Sequence, residues 1–275
     1  AAETRRQLRL LEPDESEHVY ELAGIHLTLG SVYLVTEKFD QCRVEYETSV
    51  EMNEQLVEDY PNEIDYIYDL GQGYIALLQL SLETNDRREE HWLDLAEETF
   101  ERLVEQAPLH VEIRERLLEI VAYRAQIQFG EGKFEEAAQR WQRVVELNTY
   151  ADDDLFYRFQ RDYCRGKGGD HQAAAATASE MADTADGEGE LLANAALLIA
   201  VAAIAVESDE TLSGEERQSA AERYTAEGID MLRGVLKTDY FSQPDILNQF
   251  ESNPDAAPLF RHPDYDGLWS EEGGQ

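Results

Sequence analysis

The sequence predicts an all-α fold of about five antiparallel helix pairs, closed at its C-terminal end by short helices. Three observations point there. A small residue, a large one four positions on and a third residue three further recur as Cys42, Tyr46, Ser49; Ala96, Phe100, Leu103; Ala137, Trp141, Val144; and Ala174, Ala178, Met181. A Leu-Gly-x-x-Tyr stretch precedes the first two copies, as Leu29-Gly30 to Tyr33 and Leu70-Gly71 to Tyr74. Helix breakers separate the periodic stretches, at Tyr60-Pro61-Asn62, Asn85-Asp86, Ala107-Pro108, Gly130-Glu131-Gly132 and Gly166-Lys167-Gly168-Gly169.

The physical reason for the spacing is that residues four and three apart stack on one helix face. There the small residue lets a neighbouring helix approach and the large one fills the gap beside it. The upstream glycine marks a first helix that packs closely on the second. Intervals between the small residues are 54, 41 and 37, longer than the roughly 34 of a minimal helix-pair repeat. A 41-residue interval adds about two turns, so the helices should be long. The 54-residue interval is accounted for by a polar insert, Glu83 to Glu90, "ETNDRREE", read as a loop extension or a partner-binding excursion.

Beyond Gly187 the pattern loosens. Glu190 to Glu207 reads as an alanine-rich buried helix, Ser208 to Leu212 as a loop, and Ser213-x-x-Glu216 as a capping box opening a long helix to about Lys237. The tail from Asp239 to Trp269 is punctuated by Pro244, Pro254, Pro258 and Pro263, which suits short helices. Leu259, Phe260, Tyr265 and Trp269 are its candidates for covering the end of the stack. The domain reading is four helix pairs over 1–186, a fifth atypical pair over 187–238, and a capping tail over 239–275.

Composition narrows function. With 275 residues and 43% hydrophobic content, the chain buries a sizeable core. Its 59 acidic against 23 basic residues give a net charge of -36, which opposes binding to nucleic acid or anionic lipid. The acidity is either a solvated outer surface or a docking face for basic partners. Cys42 and Cys164 offer no disulfide framework and are expected as free core thiols. No basic-then-apolar leader opens the chain, and the first residue is Ala1 rather than Met, which reads as an excised fragment. The most apolar stretch, Leu191 to Val206, is shorter than the roughly 20 residues of a bilayer span and reads as a buried helix, with a membrane segment as the alternative.

Leu-Gly-x-x-Tyr followed by a small-x-x-x-aromatic helix resembles the tetratricopeptide repeat (TPR). The resemblance implies a right-handed superhelical stack whose first helices line a concave groove. In that register the groove residues are Leu27, Ser31 and Leu34; Tyr68, Gln72 and Ile75; Ala122, Gln126 and Phe129; and Phe159 and Tyr163. Several of these side chains could instead be packing between repeats. TPR co-chaperones hold a peptide carboxylate with Lys or Arg and Asn at positions filled here by Leu27, Ser31, Ala122 and Gln126, so that clamp is not expected. The repeat signature itself is Gly30, Tyr33, Cys42, Tyr46, Gly71, Tyr74, Ala96, Phe100, Ala137, Trp141 and Ala174.

Four stretches, Glu47 to Tyr74, "KGGDHQAAAATASEMAD" (Lys167 to Asp183), Leu212 to Tyr240 and "FESNPDAAPLFRHPDY" (Phe250 to Tyr265), are similar to the C-terminal TPR region of large bacterial serine/threonine protein kinases. The chain departs from that pattern at Ala178, where an aromatic residue is commoner. The resemblance implies a kinase domain ahead of Ala1, joined directly or through a transmembrane helix. It places the chain in the cytoplasm, or outside it if such a helix precedes.

The chain itself carries no phosphate loop with a strand lysine, no His-Arg-Asp catalytic loop and no Asp-Phe-Gly. Gly71-Gln-Gly-Tyr-Ile-Ala76 matches a dinucleotide fingerprint in letters only, because its context is a continuing helix. Glu15-x-x-His18 lacks the second copy that a two-metal carboxylate site needs, and Gly166-Lys167 lacks the earlier glycine of a Walker loop. The expectation is therefore a non-enzymatic chain without cofactor or metal, its partner a protein or peptide with basic segments. A free-standing adaptor shares the fold, and a helical hydrolase or metal protein is the remaining class. Oligomeric state is left open.

Overall fold

The computed structural model describes residues 13–268, and it forms two compact units that divide between Val121 and Ala122. The first unit holds α1 (Pro13–Val35), α2 (Phe39–Asp59), α3 (Ile64–Thr84), α4 (Glu89–Gln106) and the beginning of α5 (Val111–Gly130). The second holds the end of α5, then α6 (Phe134–Leu147), α7 (Ala151–Lys167), α8 (His171–Thr184), α9 (Gly189–Val206) and α10 (Gly214–Val235). Short elements finish it: 3-10 turns at Tyr240–Ser242 and Pro254–Ala256, and helices α11 (Pro244–Glu251), α12 (Ala257–Phe260) and α13 (Tyr265–Leu268). The architecture is all-helical among the described residues, with consecutive helices packed as pairs.

All twelve positions of the recurring spacing are buried, none more than 4% exposed. The glycines explain how. A Cβ on Gly71 would lie 2.6 Å from the Phe100 ring, and one on Gly30 would run into the Tyr46 ring. The first helix thus leaves a notch that the second helix fills with an aromatic ring, and no larger residue fits without displacing it. Counting back sixteen residues, the distance from Tyr46 to Gly30, leads from Trp141 to fully buried Ala125.

Four helix ends turn alike. The amides of Lys38, Lys133 and Asp170 donate to the carbonyls of Tyr33, Gln128 and Arg165 at 2.8, 2.9 and 2.9 Å, and that of Asp86 to Ser81 at 3.3 Å. The residue before each is left-handed: Glu37 (φ 56°), Gly132 (φ 76°), Gly169 (φ 106°) and Asn85 (φ 52°). Glycine and asparagine suit that conformation, and Glu37 does not.

The "ETNDRREE" insert is neither a loop extension nor an excursion. α3 runs thirteen residues past Gly71 where α1 runs five past Gly30, and α4 starts seven residues before Ala96 where α2 starts three before Cys42. The added residues are helix, leaving a turn of four, 85–88. Asp86 ties that turn down by pairing with Arg43 of α2 at 2.7 Å and with Arg88 at 3.1 Å.

In the second unit α9 is central. It packs on α7, α8, α10, α12 and both 3-10 turns. By length and composition it could cross a membrane, yet 67% of it is buried inside the protein. An alanine-rich helix apolar on every side has to be wrapped on every side. Ser213 caps α10 by accepting from the Glu216 amide while Glu216 Oε2 accepts from the Ser213 amide at 2.8 Å. The tail supplies the last wall: Leu259, Tyr265 and Leu268 are buried against Ala196, Ala200, Ile229 and Leu232, with Phe260 half-buried beside them. Trp269, expected in that wall, lies outside the described residues.

Two consequences are measurable by chemical denaturation. Gly71→Ala should lower stability by about 1–3 kcal/mol through overpacking, although alanine is the better helix former, and adding Phe100→Leu should restore part of the loss. Equal or greater stability of Gly71→Ala alone would contradict the notch. Glu37→Gly should stabilise by up to about 1 kcal/mol by relieving the left-handed glutamate, and a loss would contradict that reading.

Candidate interaction surface

In the first unit the sequence-expected groove residues share the first helices. Leu27 and Leu34 on α1 and Tyr68, Gln72 and Ile75 on α3 are half-buried, and Ser31 is exposed. α1 and α3 touch, with the Tyr20 and Tyr66 rings 5.1 Å apart. None of these six side chains is charged, but carboxylates border them: Asp69 of α3 meets the Tyr20 hydroxyl of α1, and Glu112 meets Tyr68. The strip's polar atoms are partly committed: Ser31 Oγ lies 3.2 Å from the Tyr46 hydroxyl and 3.1 Å from the Leu27 carbonyl, and the Tyr68 hydroxyl donates to Glu112 at 2.8 Å. Tyr68 also packs edge-on against Phe100, which joins the strip to the ring in the Gly71 notch.

In the second unit Gln126 is exposed and Ala122 and Phe129 are half-buried. Phe159 and Tyr163 are drawn inward instead. Phe159 is buried in the core with Ala174, Ala178, Leu198 and Ala202. The Tyr163 ring stacks between Phe129 and Phe159, and its hydroxyl donates to Asp255 at 2.5 Å. Lys167 Nζ holds the other oxygen of Asp255 at 2.7 Å. The tail therefore engages Tyr163, and burial together with the Asp255 carboxylate pushes the Tyr163 phenol well above its usual range. For these two residues, packing displaces the groove reading.

The departure at Ala178 has a counterpart in α7. Sixteen residues before it, where a glycine or alanine would sit opposite an aromatic ring, stands Asp162. It is 1% exposed, and accepts from Thr177 at 2.7 Å, from Arg161 at 2.6 and 2.8 Å and from Arg165 at 3.1 Å. A polar side chain in the first helix thus replaces the ring missing from the second. Burial alone would raise the Asp162 pKa, but the hydrogen bonds from Arg161 and Thr177 and the two guanidinium charges hold it below the usual carboxylate range. A second buried polar group, His171, bridges Asp209 Oδ2 at 3.1 Å and the Tyr224 hydroxyl at 3.0 Å, fastening α8 to the turn before α10. Sequence reading missed both. The paired anomalies at Asp162 and Ala178, sixteen apart, were the available signal for the first.

The motif-like glycines are used in packing. Gly71 and Gly73 of the apparent dinucleotide fingerprint lie inside α3, their Cβ positions taken by Phe100 and Val50. Gly166 faces Val201 and Ala174, and Lys167 is engaged by Asp255. No group of three potential metal ligands occurs among the described residues, and the Glu15 side chain lies outside them. Cys42 and Cys164 are buried free thiols, and burial lifts the Cys164 thiol to about 12.

No family model matches the chain, and no curated protein does. Among solved structures it is similar to the MamA protein, at 15% identity and a TM-score of 0.40 over 80% of this chain and 96% of that one. It is also similar to YrrB, described as a TPR protein with an unusual peptide-binding site, at 16% identity and 0.37 over 82% and 90%. A third is the PilF protein of Pseudomonas aeruginosa, at 14% identity and 0.36 over 93% and 100%. These likenesses assign no function to the chain.

Asp162→Asn should cost about 3 kcal/mol at neutral pH by leaving Arg161 without its buried partner. Because the folded pKa lies below the unfolded value of about 3.9, the carboxylate's contribution is present above that value and lost as pH falls through the folded one. The gap between wild type and variant should therefore begin to close as pH falls below about 4 and keep narrowing toward the folded pKa, and a gap that does not narrow in acid would contradict the assignment.

Proposed function

We propose that this chain is a protein-interaction scaffold that binds protein or peptide partners along the first helices of its repeats. The observation that carries this reading is the strip formed by Leu27, Ser31, Leu34, Tyr68, Gln72 and Ile75. These six side chains are uncharged, mixed apolar and polar, and at least partly accessible on a chain of net charge -36. Contact there is by shape and apolar burial. The surrounding acids raise the encounter rate with basic segments and reject acidic ones. In the second unit, Gln126 is exposed and Phe129 half-buried, and Asp255 already takes up Tyr163.

A finer reading places the chain at the C-terminal end of a bacterial serine/threonine kinase, as a recruiting region outside the catalytic domain. Its support is the four sequence stretches named above. A free-standing adaptor accounts for the helix pairs equally well. The mass of the endogenous protein, captured with an antibody to this region and assayed with labelled ATP, separates the two. A species far above 31.4 kDa with phosphorylating activity supports the kinase, and one near 31.4 kDa without it leaves the adaptor.

The scaffold itself is tested by photo-crosslinking residues introduced at Ser31 or Gln72, against a control at exposed Gln139 on α6. A shared partner captured from the strip positions alone, less strongly at 1 M than at 0.1 M salt where the Debye length shrinks from about 10 to about 3 Å, is expected. Equal capture from Gln139 would remove the strip's role.

A further inference from the structure

We propose that the outer face of α1 is a self-association surface, on which two copies of this chain pair α1 against α1. Leu22, Ile25, Leu29, Val32 and Val35 follow one helix face at spacings of three, four, three and three, and are 40–84% exposed. The opposite face, marked by Ala23 and Gly30, is the one packed on α2. Helices of a folded chain usually keep such a row for the core. Here five large apolar side chains of one helix stand in water together, which marks an interaction site.

Gly24 is the second observation. Gly30, Gly71, Gly73, Gly166 and Gly228 each face a neighbouring side chain that a Cβ would strike, whereas nothing lies within 4 Å of a Cβ on Gly24; the helical glycines Gly130 and Gly267 are equally open but sit at helix ends. A mid-helix glycine costs about 1 kcal/mol relative to alanine, and nothing among the described residues repays it. With Thr28, one turn on and exposed, it forms a low shoulder along the apolar row, the shape that lets a second helix approach closely.

Charge selects the second copy as occupant. From Leu22 to Thr36 there is no Asp, Glu, Lys or Arg, and the one histidine, His26, is taken by Glu45 at 2.5 Å. Two chains of charge -36 repel wherever their acids meet, so this acid-free face is where they can touch. An apolar, uncharged face asks of its partner the properties it has itself, and a two-fold contact supplies them from the same patch on both chains. The row spans about 20 Å of helix, so the contact falls below the roughly 1,200 Å² of standard interfaces and the dimer is weak. Screening the remaining repulsion strengthens it, whereas docking of a basic partner weakens with salt.

The test is sedimentation equilibrium of the full 275-residue chain at increasing concentration in 0.1 M and 1 M NaCl. The mass should rise from 31.4 kDa toward twice that value, at lower concentration in 1 M salt. The double variant Ile25→Glu, Val32→Glu, with unchanged helical circular dichroism, should associate at least tenfold more weakly. Gly24→Ala should melt at a higher temperature yet associate more weakly, a pairing of signs that a purely internal role would not give. A chain that stays at 31.4 kDa in both salts, association that weakens with salt, or a double variant that associates like wild type would overturn the proposal. Unchanged association of Gly24→Ala would remove the close approach from it.

Discussion

The fit of an aromatic ring into a glycine notch is the constraint on which the rest of this structure depends. Tyr46 over Gly30 and Phe100 over Gly71 fix the distance and rotation between the two helices of a pair. Once they are fixed, Cys42 and Ser49 or Ala96 and Leu103 have no choice of surroundings. Packing at crystal-like density leaves no room for a second solution. The faces of α1 and α3 left uncovered then follow from geometry, and the strip of Leu27, Ser31, Tyr68 and Gln72 is what remains accessible once the rings have been used.

The same constraint decided what was legible in the sequence. A steric rule writes itself as spacing, so the helix pairs, their buried faces and the capping box at Ser213 could be read from one chain. The helical insert could not, because Asn85 and Asp86 mark a turn without saying that the polar residues before and after it continue the helices. For Phe159 and Tyr163 the sequence left groove and packing both open. Phe159 is buried against α8 and α9, and Tyr163 is taken up by Asp255, 92 residues further on; periodicity carries no information about contacts at that separation. Asp162 was hidden for a related reason: a buried carboxylate looks like any of the other acids until its three partners are seen together.

Ala178 and Asp162 also show how a repeat tolerates loss of its defining ring. Where α8 lacks the ring, α7 carries a buried carboxylate, and the hydrogen bonds of Thr177, Arg161 and Arg165 make burial of the charge bearable. The two solutions are not equivalent. A ring in a notch is insensitive to pH, whereas the carboxylate makes the packing of this helix pair depend on an ionised group.

The central position of α9 has a consequence for the order of events during synthesis. Its walls include α7 and α8, made before it, and α10, the turn at Pro254–Ala256 and α12, made after it. Some sixty residues separate the end of α9 at Val206 from Leu268 in the last wall. At about 5–20 residues per second, that interval lasts roughly 3 to 12 seconds. For that time the ribosome holds an emerging chain whose 18-residue apolar helix is covered only in part, the kind of segment for which chaperones and membrane-targeting factors compete.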